Sequence, residues 1–232
     1  MKKILILLFV FSLLILPAMA AGEGALLSRG KSYTLVTPGS VAYPDDESLK
    51  LTDGVRGELT DDFYYKSPAY VGFNQANKDE NGDFVIILDL GADYDNIKTF
   101  TLSYLAETDV GIYAPSSFSV YIADEDDGSY IHQGSVVIGE STEEGLQKTG
   151  TASIELPQDA GGRFVRFVIH HQEPFEKEGT TVNAGWAFID EIEVYSSTPV
   201  SQTKDSGIAI FIILAIVAVS AWLGIKFKRR FA

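Results

Sequence analysis

"RFVRFVIHH", Arg163 to His171, is the stretch that decides how this chain folds. Val165, Phe167 and Ile169 share one face of an extended segment, and Arg166 and His170 share the other. One apolar and one polar face is the signature of a half-buried antiparallel strand. Runs of the same kind recur outward from it: Phe84 to Leu90, Ile97 to Leu105, Phe118 to Ala123, Tyr130 to Ile138, Ser153 to Leu156 and Trp186 to Tyr195. Gly, Asp, Asn and Pro separate them, and helical periodicity is nearly absent. In the last run Ile192 and Val194 point one way and Glu191 and Glu193 the other. The pattern predicts an all-β chain folded as an antiparallel β-sandwich, without internal repeats. Residues 44 to 83 hold few strand-like runs, and recognition surfaces on a sandwich are built from such loops.

The two ends read differently. Lys2 and Lys3, the apolar run Ile4 to Leu16 and Pro17-Ala18-Met19-Ala20 predict a secretory signal peptide over 1–20, cut after Ala20. Gly207 to Ile225 carries no charge over 19 residues, which at about 1.5 Å per residue nearly spans a ~30 Å hydrocarbon core. Lys226, Lys228, Arg229 and Arg230 follow, so 226–232 is expected on the cytoplasmic side, with Trp222 near the inner boundary. The expected organisation is a domain over 22–196, a polar stalk over 197–206, a transmembrane helix over 207–225 and a basic tail. The expected location is the cell membrane, single-pass, with the domain extracellular. Wall attachment is the alternative, because an apolar span with a basic end also occurs in sorting signals. "VSQTKDS", Val200 to Ser206, matches a sortase motif only loosely.

All 32 acidic residues lie in 21–206, which is therefore more acidic than the whole-chain net charge of −14. Such a surface repels nucleic acid and anionic headgroups and suits multivalent cations and neutral ligands. There is no cysteine, which excludes disulfides and thiol chemistry. No Gly-x-Ser-x-Gly elbow, His-Glu-x-x-His pair or phosphate loop is present, and the chain reads as a non-enzyme. Asn77-Lys-Asp79-Glu-Asn81-Gly82 opens like a calcium loop but has Leu88 where the closing Glu belongs, so it reads as a turn. Asp124 to Gly128 reads as a hairpin turn. His170 is the histidine best placed for ligand contact, and His171 follows the apolar face.

Aromatic residues cluster at Phe63, Tyr64, Tyr65, Tyr70 and Phe73, and again at Phe175 and Trp186. Most sandwich aromatics belong to the core, but an aromatic beside polar groups is what the C–H face of a sugar requires. Tyr64, Tyr65, Asn74 and Asn183 sit in loops and fit that role, with His170 and Trp186 beside them as candidates.

Six segments, in order, resemble the discoidin family, also called coagulation factor type C domains. They are "LLSRGKSYTLVTPG" (Leu26 to Gly39), "KLTDG" (Lys50 to Gly54), "FVIILDLG" (Phe84 to Gly91), "FSVYIADEDDGSY" (Phe118 to Tyr130), "GGRFVRFVI" (Gly161 to Ile169) and "FIDEIEVY" (Phe188 to Tyr195). The resemblance implies a jelly-roll, galactose-binding-like sandwich, a fold shared with many bacterial carbohydrate-binding modules. It also implies a structural Ca²⁺ where the two ends of the domain meet, held by Asp53 and Glu191 with main-chain carbonyls of Lys50, Arg56 and Asp190. Hard oxygen donors suit that ion. The family's Trp after the early Asp-Gly is missing, as is the disulfide of its animal members, and 64–83 looks inserted. The expected function is a membrane-anchored, non-catalytic module binding a surface glycan. A protein-interaction or structural subunit of an envelope complex is the alternative.

Overall fold

The computed structural model describes residues 24–45, 48–59, 63–139 and 143–198. The predicted signal peptide, the span 207–225, the basic tail and all of the stalk beyond Thr198 lie outside them. Among the described residues no helix is long and apolar enough to cross a membrane.

Among the described residues nine strands form: β1 (Tyr33–Leu35), β2 (Val71–Asn74), β3 (Asp83–Glu107), β4 (Ser117–Ala123), β5 (Ile131–Val137), β6 (Gln147–His170), β7 (Phe175–Lys177), β8 (Thr180–Val182) and β9 (Trp186–Ser196). All strand pairings are antiparallel, and the main ladder runs β2-β9-β3-β6-β4-β5 with β1 on β3. β3 and β6 each join two runs that the sequence shows as separate strands. Their first and second halves belong to different layers. Residues 83–89 of β3 and 164–170 of β6 lie with β1, β4 and β5, whereas 97–107 and 147–160 lie with β9 and β2.

Two glycines make this corner possible. The register shifts between Asp89 and Thr99, where Gly91 has φ 77° and Gly162 has φ 142°. L-side chains rarely adopt such angles. A Cβ on Gly162 would also collide with Ile122 Cγ2 and lie 3.0 Å from Ala123 O. Asp89 locks the bend, accepting from Gly91 N (2.7 Å) and, through both oxygens, from Arg163 Nε and Nη2 (2.7 and 2.8 Å). The Asp-Leu-Gly and Gly-Gly-Arg segments are therefore two sides of one fold corner.

The two layers face each other across one core. Phe84, Ile86, Leu88, Phe118, Val120, Val165, Phe167 and Ile169 come from the first layer, and Phe100, Leu102, Ile154, Ile189, Ile192 and Val194 from the second. Ring centroids of Phe100 and Phe167 lie 6.4 Å apart, and those of Phe73 and Phe84 5.2 Å apart, joining the layers. The chain is an antiparallel β-sandwich, with Arg166 and His170 outward on the first layer as the alternation predicts.

β9 carries a bulge: Ser103 pairs with Glu191 but the next residue, Tyr104, pairs with Ile189. Asp190 is the extra residue. Core-facing parity therefore changes from Ala187 and Ile189 to Ile192 and Val194. Asp190 and Glu191 sit at the switch.

Candidate functional site

The outer face of the second layer is covered by the loops of residues 38–45, 48–59 and 63–70, which bury acidic groups seldom found inside a protein. The domain's ends meet there. Leu27 N donates to Val194 O (2.7 Å), Ser196 N to Ala25 O (3.0 Å) and Gly30 N to Thr52 O (2.7 Å). A 3₁₀ turn, Lys50–Thr52, leads into Asp53, whose Oδ1 accepts from Val55 N at 2.6 Å. Gly54 follows at φ 72°, with the Arg29 guanidinium occupying the space a side chain would need. Asp53 is thus a turn residue in the ordinary sense.

It also faces Glu191. The Glu191 side chain is 2% exposed, and its Oε1 has no hydrogen-bond partner. Burial pushes its carboxyl up to about 8; the Gly54 N–H opposes this, and the neighbouring Asp53 carboxyl adds to it. Asp190 is fully buried; its Oδ2 accepts from Gly57 N (2.7 Å), and its Oδ1 is unpaired. Two carboxyls forced together in a dry site either share a proton or hold a cation. Orphaned buried oxygens, all hard donors, fit Ca²⁺. Among the described residues no three His, Cys, Asp or Glu side chains converge as a metal cluster, so main-chain carbonyls would complete any shell. Lys50 opens the 3₁₀ turn beside Asp53. Arg56 sends its guanidinium to Glu193 Oε2 (2.7 Å) and Thr151 Oγ1 (3.0 Å), closing the site from outside.

Further along the same face lies the aromatic group. Buried Glu107 accepts from Tyr64 N (3.4 Å) and Tyr65 N (3.1 Å), pinning the short turn Tyr64–Lys66. This holds Tyr64 and Tyr65 against Tyr70, Leu105, Ile112, Phe188 and Trp186. Tyr43 stands edge-on to Tyr65 (5.7 Å) and to Trp186 (5.4 Å). Tyr43, Tyr65, Val110, Ile112, Trp186 and Phe188 line a cleft of about 130 Å³. Its three leading aromatics are half-buried rather than core.

Tyr64, Tyr65 and Trp186 are brought together as the sequence suggests. Asn74 pairs with Trp186 across β2 and β9, but its side chain caps the following turn by accepting from Ala76 N (2.9 Å). Asn183 is exposed in the loop after β8 and does not line the cleft. His170 lies on the outer face of the other layer, paired with Asp83 (2.6 Å), and belongs to a different surface. Tyr43 was not singled out from the sequence. Its signal was a lone aromatic in a Pro/Asp loop, and Gly72, whose missing side chain leaves room for the Tyr43 Cβ, is what seats it.

No protein-family model and no curated protein matches the chain. Solved structures do. The lectin binding domain of Lectinolysin, complexed with Lewis b, is 15% identical at a TM-score of 0.48, covering 75% of this chain and 97% of that one. Chitosan-binding module 1 of the chitosanase/glucanase from Paenibacillus sp. IK-5 is 13% identical at 0.47, covering 75% and 100%. CpGH89CBM32-6 produced by Clostridium perfringens is 17% identical at 0.43, covering 74% and 99%. Among the solved structures similar to this chain are CBM32 and discoidin-like carbohydrate-binding modules, the group that its sequence resembles.

Proposed function

We propose that this protein is a non-catalytic glycan-binding module, exported and held at the membrane by its C-terminal segment, with a structural Ca²⁺ at Asp53 and Glu191. The observation that carries the reading is the half-buried aromatic cleft of Tyr43, Tyr65 and Trp186. A sugar presents a C–H face that stacks on such rings, and the tyrosine hydroxyls offer it hydrogen-bond partners. The cleft is smaller than the about 300–1,000 Å³ of drug-sized sites, so it suits a terminal sugar unit rather than the interior of a long chain. The calcium supports the loops that form the cleft and does not touch the ligand.

A second reading has its own support. Val55, Leu59 and Phe63 are exposed beside the cleft, and Val55 and Phe63 line a shallow depression with Arg56, Glu58, Lys66 and Pro68. Adjacent apolar side chains at the surface favour a protein partner in the envelope. A glycan array probed with the 22–198 fragment, with and without EDTA, separates the two. Glycan binding weakened by EDTA supports the module; an array blank under both conditions favours the protein partner.

A further inference from the structure

The outer face of the first layer carries a second, larger groove of about 550 Å³. Val36, Val85, Ile87, Val168 and Tyr121 form an apolar floor, with Asp79, Asn81, Asp83 and His170 at one end and Arg166 at the other. It lies on the opposite side of the sandwich from the aromatic cleft, and the reading of one does not depend on the other.

A row of polar groups crosses four strands beside it. Asp83 Oδ1 meets His170 Nδ1 at 2.6 Å, His170 Nε2 meets Ser119 Oγ at 3.3 Å, Ser119 Oγ meets Ser135 Oγ at 2.8 Å, and Ser135 Oγ meets His132 Nε2 at 3.0 Å. A carboxylate only accepts, so Nδ1 of His170 carries the proton. The Asp-His-Ser order is that of a hydrolase triad, but Ser119 is 6% exposed and shares its hydroxyl with Ser135, so no nucleophile faces the groove. This row is satisfied from within.

Arg166 is not. Its guanidinium lies 3.7 Å from the Tyr130 ring centroid and interacts with the Tyr130 hydroxyl, but its buried Nε has no hydrogen-bond partner. Among the described residues it forms no ion pair, in a chain whose net charge is −14. The acids nearby are already engaged. Asp79 accepts from Asn81 N and Asp83 N (2.9 Å each), Asp83 binds His170, and Asp126 accepts from the Tyr130 hydroxyl (3.2 Å). Cross-strand register sets Arg166 between Ile87 and Tyr121, which limits where its fork can turn. An aromatic-backed guanidinium without an acid partner is built to receive a planar oxyanion in two-pronged fashion.

We propose that this groove is a second saccharide site, specific for a sugar unit bearing a carboxylate. Arg166 reads the carboxylate, the Tyr121 and Val168 floor takes the ring, and Asn81 meets hydroxyls at the far end. The groove volume of about 550 Å³ lies within the about 300–1,000 Å³ of sites that enclose a drug-sized ligand.

The test is calorimetric titration of the full chain in detergent with trigalacturonic acid, its methyl ester and a tetraglutamate peptide at one salt concentration. The acid should bind, and the ester should bind at least about tenfold more weakly, as expected for losing a charge-assisted pair. Arg166→Gln should cost a similar factor, and Arg166→Lys less, since it keeps the charge but not the fork. If the Gln variant fails to fold, the ester comparison and Arg166→Lys decide in the same way. Absence of binding by the acid, equal binding of acid and ester, or indifference to Arg166→Gln overturns the proposal. Equal binding of the peptide overturns its assignment to a saccharide.

Discussion

His171 shows how one residue's surroundings set its chemistry. Its Nδ1 donates to Gln172 O (2.9 Å), its ring packs edge-on to Phe84 at 5.4 Å, and it is 3% exposed. Burial holds its pKa below the ordinary imidazole value, aided by the Lys78 charge and opposed by the Gln172 carbonyl and Glu173. The unfolded chain therefore takes up a proton near pH 6.5 that the native state refuses. The stability tied to this residue is complete above about pH 6.5 and falls as the pH drops through the native value. Urea unfolding at pH 7.5 and 5.5 should show wild type losing stability at the lower pH, with His171→Phe losing measurably less. Equal losses would mean that His171 is charged in the folded protein. The sequence placed His171 correctly, because strand alternation alone puts it on the apolar face.

At the scale of elements, the corner and the bulge explain what the sequence could not convey. Asp89-Leu90-Gly91 and Gly161-Gly162-Arg163 are legible as motifs, but each looks like the end of a strand. Only their pairing across the bend makes β3 and β6 continuous, because the ladder resumes beyond Gly91 and Gly162. Gly162→Ala should cost on the order of 1–3 kcal/mol for the forced backbone angle, more once the collision with Ile122 is included. A domain of this size then melts roughly 2–4 °C lower per kcal/mol. An unchanged melting curve would show that the corner does not depend on glycine. The resemblance singles out Glu191 and the Asp190 carbonyl, but not the burial of the Asp190 side chain, since one inserted residue is invisible without the register of β3. His170 is a candidate for ligand contact in the sequence, yet it lies away from Tyr65, because alternation gives a face but not the layer to which the strand belongs. Tyr43 escaped because its partners are 22 and 143 residues away along the chain.

For the molecule as a whole, the acids beneath the 50–57 loop are where the proposed calcium is tested. A cation bound only by the folded state stabilises it by about 2.7 kcal/mol at a hundredfold excess over Kd. Chelation should lower the melting temperature of a calcium-loaded domain by several degrees, at roughly 2–4 °C per kcal/mol. Asp53→Ala and Glu191→Ala should abolish the response to added calcium. Glu193→Ala should keep it, since that carboxylate is engaged with Arg56, and so should Asp79→Ala, whose oxygens cap a turn. A wild-type melting curve indifferent to EDTA and calcium would reduce Asp53 to its turn.

The claim that the aromatic cleft takes sugar is open to a direct reading, because Trp186 is one of only two tryptophans and the other, Trp222, lies in the apolar C-terminal segment. Neutral monosaccharides and short oligosaccharides titrated into the full chain in detergent should change Trp186 emission saturably for at least one ligand. Tyr65→Ala, checked for an unchanged fold by circular dichroism, should weaken that ligand at least about tenfold, in keeping with the loss of an aromatic contact. Trp186→Phe should remove the signal. Saturable sugar binding that leaves Trp186 emission unchanged and is unaffected by Tyr65→Ala would contradict the account, as would no binding by any sugar.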